Sequence, residues 1–366
     1  MASLKEDYFL NHIVKEVMMP YSLKNSLKKF KSSDFNYVFN RNTGFTATWG
    51  DTKEHNPEVA PFPMIMDMEI TTICHGINTK YGRNKESKLE SNPCGFCYKS
   101  NTYNGKYMPF ETAKTIIDKL PKELTQIAFG TDASLIGNPD WYEIFKYARE
   151  KDFIPNVTVA DIDDETAEKL ASVCGATSVS WYGNKDICYG SVNALSNAGL
   201  KYVNIHCMIS KETISQAYEL ISDIGSDERL SGLYAVVFLS LKRKGRGDKF
   251  HCLLQDEFTD LVNACEEKHI NFGFDSCSGQ KFLNSIKGTS RESQAVYCDK
   301  CESARMSYYI NVDGLGYPCS FSEGIWKPID VLHCNDFIND VWNNPTTQNF
   351  RELSLSNDCN CVCYRV

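Results

Sequence analysis

The sequence opens on no charged stretch backed by an apolar core, and it has no long hydrophobic run. Its longest, "LYAVVFLSL" at 233–241, is far short of the roughly 20 residues a membrane span needs. Membrane residence is excluded on this reading, and a cytoplasmic protein is expected. Positive charge is also in short supply: 39 Lys and Arg against 47 Asp and Glu give a net charge of -8. No global field therefore draws the chain to nucleic acid or to an anionic surface. Repeats and low-complexity tracts are absent. So are the phosphate-binding fingerprints GxGxxG and GxxxxGK[ST], which removes the sequence support for a nucleotide-binding doubly wound sheet.

What is abundant is cysteine, 16 in 366 residues. A disulfide framework does not fit a chain read as cytoplasmic, because that compartment keeps thiols reduced. Metal ligation or burial is left. Cys174, Cys188, Cys207, Cys252 and Cys265 stand singly in apolar or helical contexts, where a thiol packs as a small hydrophobe. The others cluster at 74–97 and 277–363.

Between Met66 and Phe274, short β-branched runs at 66–73, 125–130, 155–160, 176–182, 202–209 and 233–241 alternate with helix-period segments. Ala113, Ile116, Ile117 and Leu120 recur at i, i+3, i+4, i+7, as do Ile214, Ala217, Tyr218 and Ile221, and again Phe258, Leu261, Val262 and Cys265. Six strand-then-helix units predict parallel strands with right-handed crossovers. The expected fold class is α/β, a partial (β/α)6 TIM-type barrel with a small cysteine-rich C-terminal extension and chemistry at the strand carboxyl ends. The expected divisions are 1–62, a lysine-rich helical stretch (22–31) followed by a hairpin turning at "NRNTG"; 63–274, the barrel; and 275–366, a turn-rich tail with little core of its own, in which a bound metal centre would supply stability.

Cys74 follows the first barrel strand, and "CGFCY" at 94–98 supplies Cys94 and Cys97. Three thiolates can hold three irons of a 4Fe-4S cluster and leave the fourth iron open. A zinc knuckle with His75 as fourth ligand is the competing reading. These residues resemble the radical SAM superfamily, whose signature is C-x(3)-C-x(2)-C with an aromatic residue before the last cysteine. The first gap here is longer, 75–93. Lengthening that loop from three to nineteen residues costs only about 1.6 kcal/mol, small beside thiolate ligation at roughly 10 kcal/mol or more.

The resemblance implies further roles. Gly130, Thr131 and Asp132 occupy the place of the GGE-type motif that binds the amino group of S-adenosylmethionine (SAM). Phe96 corresponds to the residue beside adenine, Thr158 and Asn204 to strand-end ligands, and Arg243 in "LKRKGRGDK" (241–249) to a carboxylate contact. That basic run has no interleaved aromatics, so nucleic acid is not an expected partner.

In the tail, Cys301, Gly314 and Cys319 make C-x(12)-G-x(4)-C, with a hairpin turning at Asp313-Gly314 that returns Cys319 towards Cys301. This resembles the SPASM or Twitch extension of radical SAM enzymes. It implies one auxiliary iron-sulfur cluster on Cys277, Cys301, Cys319 and Cys361, with Cys298 as competitor; four thiolates suit structural zinc as well. The implied function is reductive cleavage of SAM and radical modification of a peptide or protein side chain. The alternatives are modification of a nucleotide, sugar or other small molecule, and a non-enzymatic iron-sulfur or zinc protein. An external one-electron donor such as flavodoxin or ferredoxin is the implied partner.

Overall fold

The computed structural model describes residues 26–52, 55–76, 94–298, 301–356, 361 and 363. The chain divides into two compact units, Met1–Pro61 and Phe62–Val366. In the first, β1 (Leu27–Lys31), β2 (Asn36–Asn40) and β3 (Thr46–Trp49) form an antiparallel sheet. The hairpin at "NRNTG" is present: Asn40 Oδ1 accepts from the Asn42 and Thr43 amides at 2.9 and 3.2 Å. The helix expected over 22–31 is not what forms at its described end. Residues 27–31 are β1, because that run gains a full backbone ladder with β2 and stacks Phe30 on Tyr37, 6.2 Å between centroids, and residues 22–25 lie outside the described residues.

The second unit is built on one ten-stranded sheet. In chain order its elements are β4 (Ile65–Glu69), α1 (Phe110–Ile117), β5 (Gln126–Gly130), α2 (Trp141–Glu150), β6 (Ile154–Val159), α3 (Asp164–Val173), β7 (Ala176–Trp181), α4 (Lys185–Asn197), β8 (Val203–Ile209), α5 (Ile214–Asp223), β9 (Leu233–Ser240), α6 (Gln255–Glu267), β10 (Phe272–Phe274), α7 (Gly279–Ile286), β11 (Ser307–Ile310), β12 (Leu315–Tyr317), β13 (Ile329–Asp330) and α8 (Pro345–Ser356). The strand order is β10-β9-β8-β7-β6-β5-β4-β11-β12-β13, parallel from β10 to β11. The fold is thus mixed α/β on a mostly parallel sheet. No closed barrel forms among the described residues, since β10 and β13 stand at opposite edges.

Of the apolar stripes read from the sequence, Ala113, Ile116 and Ile117 on α1, Ala217 and Ile221 on α5, and Phe258, Leu261, Val262 and Cys265 on α6 are buried; on α5 the buried face is rotated from the expected one, with Leu220 inside and Tyr218 37% exposed. Asp163 caps α3 through the Thr166 amide, 2.9 Å. Cys174, Cys188, Cys207 and Cys265 are buried, and burial pushes the thiols of Cys174 and Cys265 up to about 12. These four are packing residues, as expected; Cys252, expected with them, is only half-buried and donates to the Leu241 carbonyl at 3.6 Å.

The tail differs from a segment without a core. The aromatic and β-branched run "SYYI" forms β11, buried along its length beside β4, and Tyr308, Phe337, Val341 and Trp342 join the main core. The Asp313-Gly314 turn falls where expected, between β11 and antiparallel β12, with Gly314 at φ +74. Among the described residues no helix is long and apolar enough to cross a membrane.

Candidate active site and a second cysteine-lined cavity

Parallel strands end together, so their last residues converge. At the carboxyl ends of β4 to β9 a cavity of about 510 Å³ is lined by Cys74, Cys94, Phe96, Cys97, Gly130, Thr131, Asp132 and Thr158. Three thiols and five of the residues assigned to SAM are therefore brought together. Asn204 and Arg243 do not line it. Asn204 lies nearer the start of β8, two residues short of His206 on the same face. Arg243 is exposed and donates to the Asp248 carbonyl at 3.1 Å.

The basic loop still reaches the CxxC turn, through a different arginine. Arg246 Nε donates to the Cys94 carbonyl (3.0 Å), its Nη2 to the Asn101 carbonyl (3.1 Å) and its amide to the Cys97 carbonyl (3.0 Å). The approach requires Gly245 (φ +58): a Cβ there would stand 2.5 Å from the Tyr98 carbonyl oxygen and 2.8 Å from that of Cys97. Cys97 is drawn down to about 5, chiefly by a hydrogen bond from the Cys94 thiol and also by nearby backbone amides and Arg246. Cys94 moves the opposite way. Of the two, Cys97 is therefore the one that more readily gives the thiolate, the form that ligates metals. Cys74, raised by burial, accepts from the Gly76 amide at 3.4 Å.

Asp132 is fully enclosed. Its Oδ1 accepts from the Gly137 amide at 3.0 Å, while Oδ2 has no hydrogen-bond partner. His75 Nδ1 stands 3.7 Å away, and the carboxylate beside it holds that imidazole's pKa up. A Cβ on Gly130 would approach Glu69 Cα to 3.2 Å. Phe96 stacks on Tyr182 (5.6 Å) and meets Phe250 edge-on (5.9 Å).

Several lining residues are not in the sequence-derived set. His206 Nδ1 is 3.2 Å from Thr158 Oγ1, and burial lowers its pKa to about 4, so it is neutral. Lys242 is ion-paired with Asp275. Glu69 binds Lys99 at 3.1 Å and accepts from Tyr309 Oη at 3.1 Å, and Lys99 also pairs with Glu323. Period-2 placement on β8 was the available signal for His206, whereas the Lys99 network joins segments more than 200 residues apart and left no local trace.

A larger cavity, about 690 Å³, is lined by Cys277, Cys298, Cys301, Cys319, Cys361 and Cys363. All five tail cysteines singled out from the sequence meet there, joined by Cys363; Cys334 is buried elsewhere and Cys359 lies outside the described residues. A hydrogen bond from Cys363 draws Cys319 down to about 6, and burial pushes Cys277 and Cys301 up. Among the described residues no three His, Cys, Asp or Glu side chains are gathered closely enough to hold a single metal ion. The donor sets themselves, three thiols in one cavity and six in the other, have the chemistry of iron-sulfur ligation. Asp67, Asp275, Ser320 and Phe321 line both cavities, and the Tyr98 and Phe321 rings lie 4.5 Å apart at that wall.

A mixed α/β sheet with a cysteine-bearing cavity at its carboxyl edge is the class of structure these observations define. No protein-family model matches the chain, and no curated protein is significantly similar to it in sequence. Among solved structures it is similar to Streptococcus suis SuiB, with TM-score 0.61 and 12% identity over 90% of this chain and 90% of that one. The likeness extends to SuiB bound to its precursor peptide SuiA (TM-score 0.62, 11% identity, 88% of this chain and 90% of that one). It extends also to SuiB bound to S-adenosylmethionine (0.58, 14%, 80% and 68%). At these identities what is shared is the fold.

Proposed function

We propose that this protein is a radical SAM enzyme acting on a peptide or protein side chain, with residues 63–274 as a partial (β/α)6 barrel, 275–366 as a SPASM/Twitch-like auxiliary-cluster domain and 1–62 as an N-terminal segment. The observation that carries the reading is that Cys74, Cys94 and Cys97 share one cavity with the buried carboxylate of Asp132, whose Oδ2 accepts no hydrogen bond and faces only His75 Nδ1 at 3.7 Å among the described residues. The SuiB fold, seen with SAM and with a precursor peptide, supports the SAM and peptide parts. When bound, a 4Fe-4S cluster and SAM supply reductive cleavage to a 5'-deoxyadenosyl radical that takes hydrogen from the substrate, the electron coming from a donor such as flavodoxin or ferredoxin.

The chain's own residues bind and orient. Cys97, held low by the Cys94 thiol, gives up its proton most readily, and Cys74 and Cys94 lose theirs on ligation. Asp132 Oδ2, which accepts no hydrogen bond and has only the 3.7 Å His75 contact, accepts from the SAM ammonium in a charge-assisted bond. Gly130 leaves its backbone open to the ligand. Phe96, flanked by Tyr182 and Phe250, covers the adenine and keeps water out. Neutral His206 fixes Thr158 without adding a second cation to a site that must hold a sulfonium. In the larger cavity Cys277, Cys301, Cys319 and Cys361 hold the auxiliary cluster, with Cys298 and Cys363 beside them.

Anaerobic reconstitution with iron and sulfide, followed by dithionite and SAM, tests this. About eight irons per chain together with 5'-deoxyadenosine are expected. Bound zinc with intact SAM would overturn the reading.

A further inference from the structure

The basic run at 241–249 does more than hold the CxxC turn. Every second residue of it turns inward, and each inward cation grips a different cysteine-bearing loop. Lys242, 6% exposed, pairs with Asp275, two residues before Cys277. Lys244 Nζ donates to the Phe321 carbonyl at 3.1 Å and to the Glu323 carbonyl at 2.6 Å, on the loop that follows Cys319. Arg246 donates to the Cys94 and Asn101 carbonyls at the two ends of the CxxC turn. Arg243 and Lys249, out of that alternation, are exposed.

Two features make the run a strap and not a set of independent contacts. It is stiff, because the Lys244 amide donates to the Lys242 carbonyl at 2.8 Å and the Gly247 amide to the Lys244 carbonyl at 3.0 Å. It also lies against the CxxC backbone without slack. A Cβ on Gly245 would stand 2.8 Å from the Cys97 carbonyl oxygen, and one on Gly247 3.0 Å from that of Phe96. A displacement of the Cys319 loop therefore pulls on Lys244 and, through Gly245 and Arg246, on the turn that carries Cys94 and Cys97, because close-packed backbone transmits strain. The two loops touch directly as well, through the Lys99 and Glu323 ion pair and the Tyr98 and Phe321 rings, 4.5 Å apart.

We infer that Lys244 is a positioning residue for both cysteine cavities: by tying the Cys319 loop to the strap that carries Arg246, it makes the placement of Cys94 and Cys97 and the placement of Cys319 one coupled setting. Order in either loop then favours order in the other, since a coupling free energy acts reciprocally. The inference goes beyond the proposed function and holds whichever metal centre either cavity takes.

Alkylation by iodoacetamide tests this, followed cysteine by cysteine by mass spectrometry on the full-length, reduced and metal-stripped chain at one fixed pH. In Lys244→Met, which keeps the length of the side chain and loses its donors, Cys319 and Cys97 should each react about fivefold faster. The buried thiols of Cys207 and Cys265 should keep their rates. Lys244→Arg, which retains donors, should restore slow reaction at both loops. Arg246→Met puts the question from the other end and should speed Cys319 as well as Cys97; it decides alone where Lys244→Met does not fold. A rise confined to the loop whose own contact was removed overturns the inference. So does a rise shared by Cys207 and Cys265, which reports a loosening of the whole fold and no coupling between the two loops. SAM cleavage plays no part in this readout, so failure of the radical reading leaves the test standing.

Discussion

Gly245→Ala is the sharpest probe of how the basic loop holds the CxxC turn. Two costs combine there. At φ +58 a side chain in the left-handed region costs about 1–2 kcal/mol. The new Cβ would also stand 2.5 Å from the Tyr98 carbonyl oxygen, 2.7 Å from Ser100 Oγ and 2.8 Å from the Cys97 carbonyl oxygen. Ser100 can rotate away, but two backbone oxygens cannot, so overpacking adds roughly 1–3 kcal/mol. Gly225→Ala is the matched control: it has φ +86 and nothing within 4 Å of its Cβ, so only the first cost applies. Thermal unfolding and iron content after reconstitution are the assays. Gly245→Ala should melt below Gly225→Ala and lose about half its iron, because the loop that carries Arg246 to the Cys94 and Cys97 carbonyls has moved. If the two variants melt alike and Gly245→Ala keeps its full iron, the claim that this loop positions the cysteines is refuted.

Cys94→Ala should abolish 5'-deoxyadenosine formation while the tail keeps about half the iron; unchanged cleavage would remove Cys94 from the ligand set. His206, with its folded pKa near 4 against an ordinary 6.5, gives a pH signature. Above about pH 6.5 neither state is protonated there and the stability is full. As pH falls from 6.5 to 4 only the unfolded chain takes up the proton, and up to about 3 kcal/mol is lost. Melting curves across that window should be flatter in His206→Gln, and identical slopes would refute the buried neutral imidazole. Lys99→Met leaves Glu69 and Glu323 facing each other without their cation and should cost about 3–5 kcal/mol. Adding Glu69→Gln should recover part of that loss in a double-mutant cycle, and strict additivity would deny the coupling.

The strand-and-helix alternation and its parallel order were legible because each unit carries its own period. The tail was legible only in its turn and its cysteines. β11 joins the sheet beside β4, a pairing between segments about 240 residues apart that no local pattern announces. The same holds within the site. The cysteines of the first group stood out by their spacing and Asp132 through the family resemblance, but the contact of Arg246 with the CxxC turn did not: Arg243, expected at a carboxylate, is exposed, and Gly245, where a Cβ would stand 2.5 and 2.8 Å from two carbonyl oxygens, lets the next residue reach the turn. The lysine-rich stretch was misread for the opposite reason: its spacing fits a helix, and only the cross-strand partner Tyr37 makes Lys28–Lys31 a strand.

The long gap between Cys74 and Cys94 departs from the motif's spacing, and contacts on either side of it offset the cost. Residues 77–93 lie outside the described residues, yet both ends of the insertion are held. Cys74 N–H donates to the Thr102 carbonyl and Thr72 N–H to the Lys106 carbonyl, each at 2.8 Å, and the Lys106 amide returns a bond to Thr72 Oγ1 at 3.0 Å. Gly105 permits that contact, since a Cβ there would come within 2.3 Å of the Thr72 backbone. Three such bonds are worth about 3 kcal/mol net, more than the roughly 1.6 kcal/mol that the longer loop costs. Cys74 is therefore fixed beside the CxxC turn by the strand of chain that follows the turn, whatever the length of the loop between them. It follows that shortening the insertion should leave cluster assembly intact, with iron content unchanged, whereas Gly105→Ala, which leaves the loop its full length, should lose it.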